Sequence, residues 1–279
     1  MGTEVLLCSD LDRTLLPNGP QDESPRARER LRAIAERPEL TLAYVSGRHR
    51  QLLLDAIDEY NIPVPDYAIG DVGTTIYQIR DGDWLPWAEW EREIAVDWNG
   101  QGHDQLAALF DDLDDLEPQE PEKQNTFKLS YYAPADLDSN RVIGEMSQRL
   151  HNEAVRASLI WSVDETENVG LLDVLPRSAT KYHAIRFLMQ RKGFAEAATV
   201  FAGDSGNDLP VLTSAVQSVL VRNARDEVRE QALREARANG TIESLYFAKG
   251  GFLGMNGNYA AGALEGLVHF IPAAAAWLE

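Results

Sequence analysis

Val5-Leu6-Leu7-Cys8-Ser9 is a short apolar run that stops abruptly at Asp10-Leu11-Asp12. The same design recurs at Leu40–Val45, ahead of Ser46-Gly47-Arg48, and at Ala198–Ala202, ahead of Gly203-Asp204-Ser205-Gly206-Asn207-Asp208. Runs that are largely apolar rather than alternating, interrupted here by Thr41 and Thr199, suit strands buried on both faces. Helical patterns separate them. Ser24-Pro25 offers an N-cap and a first-turn proline for a helix carrying Leu31, Ile34 and Ala35, which stops before Pro38. Arg50 to Tyr60 places Leu53, Leu54 and Ile57 on one face, and Tyr67-Ala68-Ile69 begins a further strand. Beyond the turn Gly70–Gly73, Thr74–Tyr77 reads as the first arm of a hairpin. This pitch predicts an α/β protein with a doubly wound parallel sheet covered by helices.

Between residues 81 and 173 the character changes. Asp81 to Trp98 holds Trp84, Trp87, Trp90 and Trp98 of the chain's 6 tryptophans. Helices are expected over Gln105–Leu116 and Asn140–His151, and strands over Phe127–Tyr132, Val155–Val163 and Gly170–Leu175. That order predicts an inserted α+β domain at 81–173, flanked by core segments 1–80 and 174–279. The parallel pattern then returns with a helix over Lys181–Arg191, the strand Ala198–Ala202 and a helix over Leu209–Ala215. A strand over Ser218–Val221, a charged helix over Arg225–Asn239, a glycine-rich loop at Lys249–Gly257 and a closing helix over Ala260–Phe270 complete it.

A formal net charge of −19 argues against nucleic acid or an anionic membrane surface as partner, and an anionic substrate would need local cations. No apolar run approaches the ~18 residues of a membrane span, and no signal-peptide pattern opens the sequence, so a cytoplasmic protein is expected. Cys8 cannot form an internal disulfide and reads as a small core residue. The 5 scattered histidines make no zinc pattern.

Side chains alternate along a strand, so Asp10 and Asp12 are expected to leave the first strand on one side. Two carboxylates forced together repel, and such a pair usually serves a cation or a proton transfer. Ligand sites in parallel α/β sheets lie at the carboxyl ends of the strands, which would gather Asp10/Asp12, Ser46 and Asp204/Asp208 on one rim. An aspartate can attack phosphorus, a second acid can exchange protons, and a hydroxyl and a lysine (Ser46, Lys181) can hold phosphate oxygens. The remaining carboxylates suit Mg2+. Asp204, following its strand directly, reads as a direct ligand, whereas Asp208 could ligate through water or anchor its loop.

Asp10-Leu11-Asp12-Arg13-Thr14, Ser46-Gly47-Arg48, Lys181 and Gly203–Asp208, in this order, resemble the four motifs of the haloacid dehalogenase (HAD) superfamily. Several stretches resemble its sucrose-phosphatase group. They include Asp66-Tyr67, Asn125-Thr126-Phe127-Lys128-Leu129-Ser130-Tyr131, Leu175-Pro176-Arg177-Ser178, Val221-Arg222-Asn223-Ala224 and Gly262-Ala263-Leu264-Glu265. The resemblance implies a Rossmann-like core with an inserted cap, and Mg2+-dependent hydrolysis of a phosphorylated disaccharide. It implies Asp10 as nucleophile and Asp12 as acid/base, with Asp10, Asp12, Asp204 and Asp208 around the metal. Ser46 and Lys181 would bind phosphate, and Gly47, Arg48, Asn125, Lys128 and Asn207 the substrate. Lys128 reads equally as a solvent-facing strand lysine, and the tryptophans as packing rather than sugar platforms. Arg13 stands where asparagine is more familiar, Ser46 where threonine is common, and Thr126-Phe127 in place of Pro-Trp; the Lys249–Tyr259 loop is longer than expected.

Three hypotheses follow. The first is a phosphatase for sucrose 6-phosphate or a closely related disaccharide phosphate. The second keeps the machinery but makes it a phosphatase or phosphomutase for another compatible-solute sugar phosphate. The third is a non-catalytic sugar-phosphate-binding module associated with a partner synthase, against which the intact Asp10 and Asp12 speak.

Overall fold

The computed structural model describes residues 4–164 and 167–278 and divides into two compact units, Met1–Pro86 with Lys181–Glu279, and Trp87–Thr180. In the first, β1 (Val5–Ser9), β2 (Leu40–Val45), β3 (Tyr67–Gly70), β4 (Thr75–Arg80) and β5 (Asp83–Pro86) come from the N-terminal segment. The C-terminal segment adds β10 (Thr199–Gly203), β11 (Gln217–Leu220) and β12 (Leu245–Phe247). Their order is β12-β11-β10-β1-β2-β3-β4-β5, parallel from β12 to β3 and antiparallel thereafter. Every residue of β1 is buried, as its unbroken apolar run requires of a central strand.

Helices α1 (Ala27–Ala35), α2 (Arg50–Tyr60), α6 (Lys181–Lys192), α7 (Leu209–Leu212), α8 (Asp226–Asn239) and α9 (Ala260–Phe270) belong to this unit. α9 is buried along Ala260–Leu267, glycines included, because it lies directly on the sheet. A Cβ on Gly266 would stand 2.4 Å from Cβ of Val219, and one on Gly262 would stand 2.3 Å from the Gly257 carbonyl oxygen. These two glycines, one helical turn apart, set how closely α9 approaches β11.

The second unit holds α3 (Ala88–Ala95), α4 (His103–Ala107), β6 (Glu117–Pro118), β7 (Leu129–Pro134), α5 (Ser139–Asn152), β8 (Ala157–Asp164) and β9 (Val169–Pro176). Its antiparallel sheet has the order β6-β7-β9-β8. Leu129 and Tyr131 of β7 and Leu172 and Val174 of β9 share one face and pack with Val142, Met146 and Leu150 of α5. The intervening residues Ser130 and Asp173 face each other across the register, with 2.5 Å between Ser130 Oγ and Asp173 Oδ1.

Several expectations need correction. The unit boundaries fall after Pro86 and Thr180 rather than 80 and 173, since β5 pairs with β4 in the large sheet and β9 runs on to Pro176. Ser24 does not cap α1; its hydroxyl is engaged with Asn256, and the helix begins after Arg26 in left-handed conformation. The helix expected over 105–116 ends at Ala107. Asp111, Asp112, Asp114 and Asp115 would crowd like charges at the negative end of its dipole, and Arg149 instead takes the Asp112 carboxylate. α7 stops at Leu212 because the Thr213 and Ser214 hydroxyls bond back to the Leu209 and Val211 carbonyls. β5 is the second arm of the expected hairpin, and α3, β6 and β12 add to the expected elements.

The tryptophans are packing residues. Trp84 lies in the core of the first unit, edge-on to Tyr77, and Trp98 in the core of the second, edge-on to Phe127. Trp87 and Trp90 are buried. Among the described residues no helix is long and apolar enough to cross a membrane.

Two glycines should respond oppositely to alanine. Gly266→Ala must push α9 from β11 and should cost about 1–3 kcal/mol in chemical denaturation. Gly144, inside α5 with open space at its Cβ position, should gain about 0.5–1 kcal/mol on the same substitution.

Candidate active site

The strand order reverses at β1: the chain leaves it toward β2 and, after the inserted unit, returns to pair β10 with its other edge. The Asp10 N–H bonds the Ala202 carbonyl at 2.9 Å, so Asp10 sits beside the end of β10, and Asp204 is the first residue beyond that strand. A switch point of this kind opens a crevice at the carboxyl ends of the strands.

Asp10, Asp204 and Asp208 are buried and offer carboxylate oxygens within 4.8 Å of one another. Lys181, the first residue of α6, reaches into this group, with Nζ 2.8 Å from Asp10 Oδ1, 2.8 Å from Asp208 Oδ1 and 3.4 Å from Asn207 Oδ1. The Thr14 hydroxyl lies 3.2 Å from Asp204 Oδ1 and 3.4 Å from Asp10 Oδ2, spanning the two strand ends. Asp208 turns Oδ2 toward the N–H groups of Asp204 and Ser205 at 3.1 and 3.2 Å, so this carboxylate anchors its own loop. Gly203 is required for that: a Cβ there would lie 2.7 Å from Asp208 Oδ2.

Burial, then the charge of Asp208, pushes Asp10 up to about 7 despite the opposing pull of Lys181. Burial and Asp208 likewise raise Asp204 to about 6, against Thr14, Arg13 and Lys181. Burial disfavours the Lys181 ammonium, but Asp208 and Asp10 outweigh it and hold the group protonated. Lys181, between Asp10 and Asp208, and Arg13, 3.7 Å from Asp204, offset part of the carboxylate charge; a divalent cation would neutralise more of it. An all-carboxylate oxygen set fits a hard ion such as Mg2+.

Asp12 is not part of this group. The strand ends at Ser9, and the Leu11 carbonyl turns to accept the N–H groups of Thr14, Leu15 and Leu16, so strand alternation does not extend to Asp12. Its carboxylate is gripped by Arg48 through two bonds, Nη2–Oδ1 at 2.7 Å and Nε–Oδ2 at 2.8 Å, and by Asn18 Nδ2 at 2.7 Å. Burial would raise its pKa, yet the Arg48 bonds and charge, with Asn18, take it below the ordinary value. The structure thus sets Arg48, expected at the substrate, on Asp12.

Ser46 is buried at the end of β2, its Oγ accepting the Arg48 N–H at 3.2 Å; α2 starts at Arg50, so Ser46 is not its N-cap. Gly47 is exposed, with open space where a Cβ would stand, so no contact there demands glycine. Asn207 is exposed and joins Lys181 to Ser205 through its Oδ1. In the second unit Asn125 forms a tight turn with Lys128, its Oδ1 accepting the Phe127 N–H. Lys128 is buried rather than solvent-facing; its Nζ donates to the Lys123 carbonyl at 2.9 Å and lies 3.8 Å from Asp173. Thr14 and Asn18 were not assigned from sequence. Thr14 is signalled by a hydroxyl just after the aspartates, whereas nothing local marks Asn18.

A family model described as Sucrose-6F-phosphate phosphohydrolase matches residues 3–271. A protein of Nitrosococcus oceani described as a HAD-like hydrolase is 59% identical over 279 residues, 100% of this chain and 75% of that protein. The mannosylfructose-phosphate phosphatase of Agrobacterium fabrum is 29% identical over 252 residues, 86% of this chain and 95% of that protein. The crystal structure of the sucrose-phosphatase from Synechocystis sp. PCC6803, in complex with sucrose and phosphate, superposes with a TM-score of 0.71 at 26% identity. That comparison covers 97% of this chain and 99% of the other. With its doubly wound sheet and a whole-length match, the chain belongs to the sucrose-6F-phosphate phosphohydrolase family of HAD phosphatases, and is a phosphoric monoester hydrolase.

Proposed function

We propose that this enzyme is a Mg2+-dependent phosphatase for sucrose 6-phosphate or a closely related disaccharide phosphate, working through an aspartyl-phosphate on Asp10. The observation that carries the reading is the buried Asp10 carboxylate at the end of β1, held by Lys181 at 2.8 Å beside Asp204 and Asp208. Asp10 attacks phosphorus, forming an O–P bond as the bond to the sugar oxygen breaks, and Asp12 gives that oxygen a proton. Asp12 then takes a proton from the water that displaces Asp10 and frees phosphate. Lys181 and the Ser46 hydroxyl hold phosphate oxygens. Asp10, Asp204 and Asp208 would hold Mg2+, Asp208 also fixing the loop; the ion would supply charge neutralisation for the phosphoryl group. The role of Arg48 is to position Asp12, and Asp12 must leave this clamp to carry a proton. Asn207 borders the phosphate site, and Asn125 and Lys128 are the candidate sugar ligands on the inserted unit. The likeness to a mannosylfructose-phosphate phosphatase supports a second reading, the same chemistry on another sugar.

A phosphate-release screen over phosphorylated disaccharides and monosaccharides should favour sucrose 6-phosphate or a close relative, require Mg2+, and fall at least ~10³-fold in Asp10→Asn. A flat profile, or a preference for monosaccharide phosphates, would sink the disaccharide assignment. Full turnover in Asp10→Asn would end the covalent mechanism.

Stability gives an independent check on the carboxylate group. Asp10 and Asp204 have folded pKa values of about 7 and about 6, above their unfolded values, so the fold favours their protonated forms. Their contribution is complete below about pH 4, declines from there, and is gone once pH has risen through about 6–7. The thermal midpoint of chelator-treated protein should therefore fall over that window, and MgCl2 should restore it increasingly as pH rises. A restoration independent of pH would count against metal binding at these aspartates.

Asp12 has the opposite sign. Its lowered pKa adds stability above the unfolded value, lost as pH falls through the folded value. Arg48→Ala should be less stable than the parent above about pH 4, and the two should converge in stronger acid. Parallel acid-unfolding curves would show that the clamp does not act through Asp12 ionisation.

A further inference from the structure

Arg13 follows Asp12 with φ 60°, a left-handed backbone that glycine or asparagine adopts with far less strain than a long side chain. Neighbours fix this conformation: the Arg13 N–H donates to Asn18 Oδ1 at 2.8 Å, and its carbonyl accepts Asn223 Nδ2 at 2.6 Å. Asn18 also bonds Asp12, and Asn223 Oδ1 accepts the Tyr259 N–H at the start of α9, so the backbone at position 13 is held independently of its side chain. From that fixed point the guanidinium runs back toward the carboxylates. Its Nε is buried without a hydrogen-bond partner and stands 3.7 Å from Asp204 Oδ2, while the side chain as a whole is 29% exposed. Asp204 thus has one oxygen on the Thr14 hydroxyl and the other facing a cation too distant to bond it.

Such an arrangement does not serve orientation of Asp204, for which a direct hydrogen bond would be the obvious device. What it does supply is positive charge at a short distance from one of three clustered carboxylates, in a partly buried setting where charges are weakly screened. Any divalent ion held by those carboxylates shares Asp204 with Arg13 and meets its repulsion. We propose that Arg13 is a built-in counter-cation of Asp204 that weakens divalent-cation binding and so sets the Mg2+ concentration at which the site loads. A backbone strained to carry a charge, where a small residue would be relaxed, is the pattern expected when the charge is the purpose. This inference rests on the Mg2+ reading of the site.

The test is titration of MgCl2 into chelator-treated protein by calorimetry, with the Mg2+-dependent rise in thermal midpoint as a second measure, for the parent, Arg13→Asn and Arg13→Lys. Asparagine suits the left-handed backbone, so R13N should fold. R13N should bind Mg2+ about tenfold more tightly than the parent, and R13K should stay within about twofold of it. Affinity in R13N within about twofold of the parent, or weaker, overturns the role of Arg13 and leaves the Mg2+ site standing. R13K behaving like R13N overturns the charge-based assignment. No Mg2+ binding by the parent overturns both this inference and the metal site beneath it.

Discussion

The Lys181 ammonium, held between Asp10 and Asp208, is the contact on which the rest of the site depends. Removing one partner from a buried ion pair leaves an uncompensated charge and costs several kcal/mol, so all three groups must arrive together. They come from the end of β1, ahead of the inserted unit, and from the start of α6 and the loop after β10, which both follow it. The parallel sheet makes this cheap in chain geometry. β1 and β10 are neighbours in register, and the helix returning from the insertion begins at the residue that carries the charge. The Thr14 hydroxyl then spans both strand ends, and Asp208 folds its loop onto its own second oxygen. Function here constrains the fold in a specific way: Gly203 must lack a side chain because Asp208 needs the space.

Much of this was legible in sequence because it rests on local signals. Largely apolar runs ending in polar residues marked β1, β2 and β10, and α2 and α9 fall at the bounds their periodicity suggested. Asp10, Lys181, Asp204 and Asp208 could be named because each stands at the edge of such an element. What escaped depended on where an element stops. Asp12 was grouped with Asp10 by strand alternation, but the strand ends at Ser9 and the turn at Leu11 sends Asp12 to Arg48. The acidic stretch after Ala107 has helical spacing in its apolar residues, yet its clustered carboxylates favour turns. Lys128 was weighed as a sugar ligand or a solvated lysine, and neither pattern foresaw its burial against Lys123 and Asp173.

The two aspartates that open the chain therefore differ by environment, not by type. Asp10 is raised by burial and by its acidic neighbours; Asp12, despite burial, is lowered by a bidentate arginine. Taken alone, those directions suggest Asp10 as the proton donor and Asp12 as the base. The proposed covalent route would ask for the reverse at the first step, an ionised Asp10 and a protonated Asp12. Both mismatches have the same resolution. The acidic neighbours that raise Asp10 are the groups a divalent cation would neutralise, and the guanidinium that lowers Asp12 is attached through hydrogen bonds that can part. Under that proposal the site stands short of the reactive protonation states, and occupancy by cation and substrate would supply the remaining shift. Asp12 as it stands is already ionised, as the second step of that proposed route, attack by water, would require.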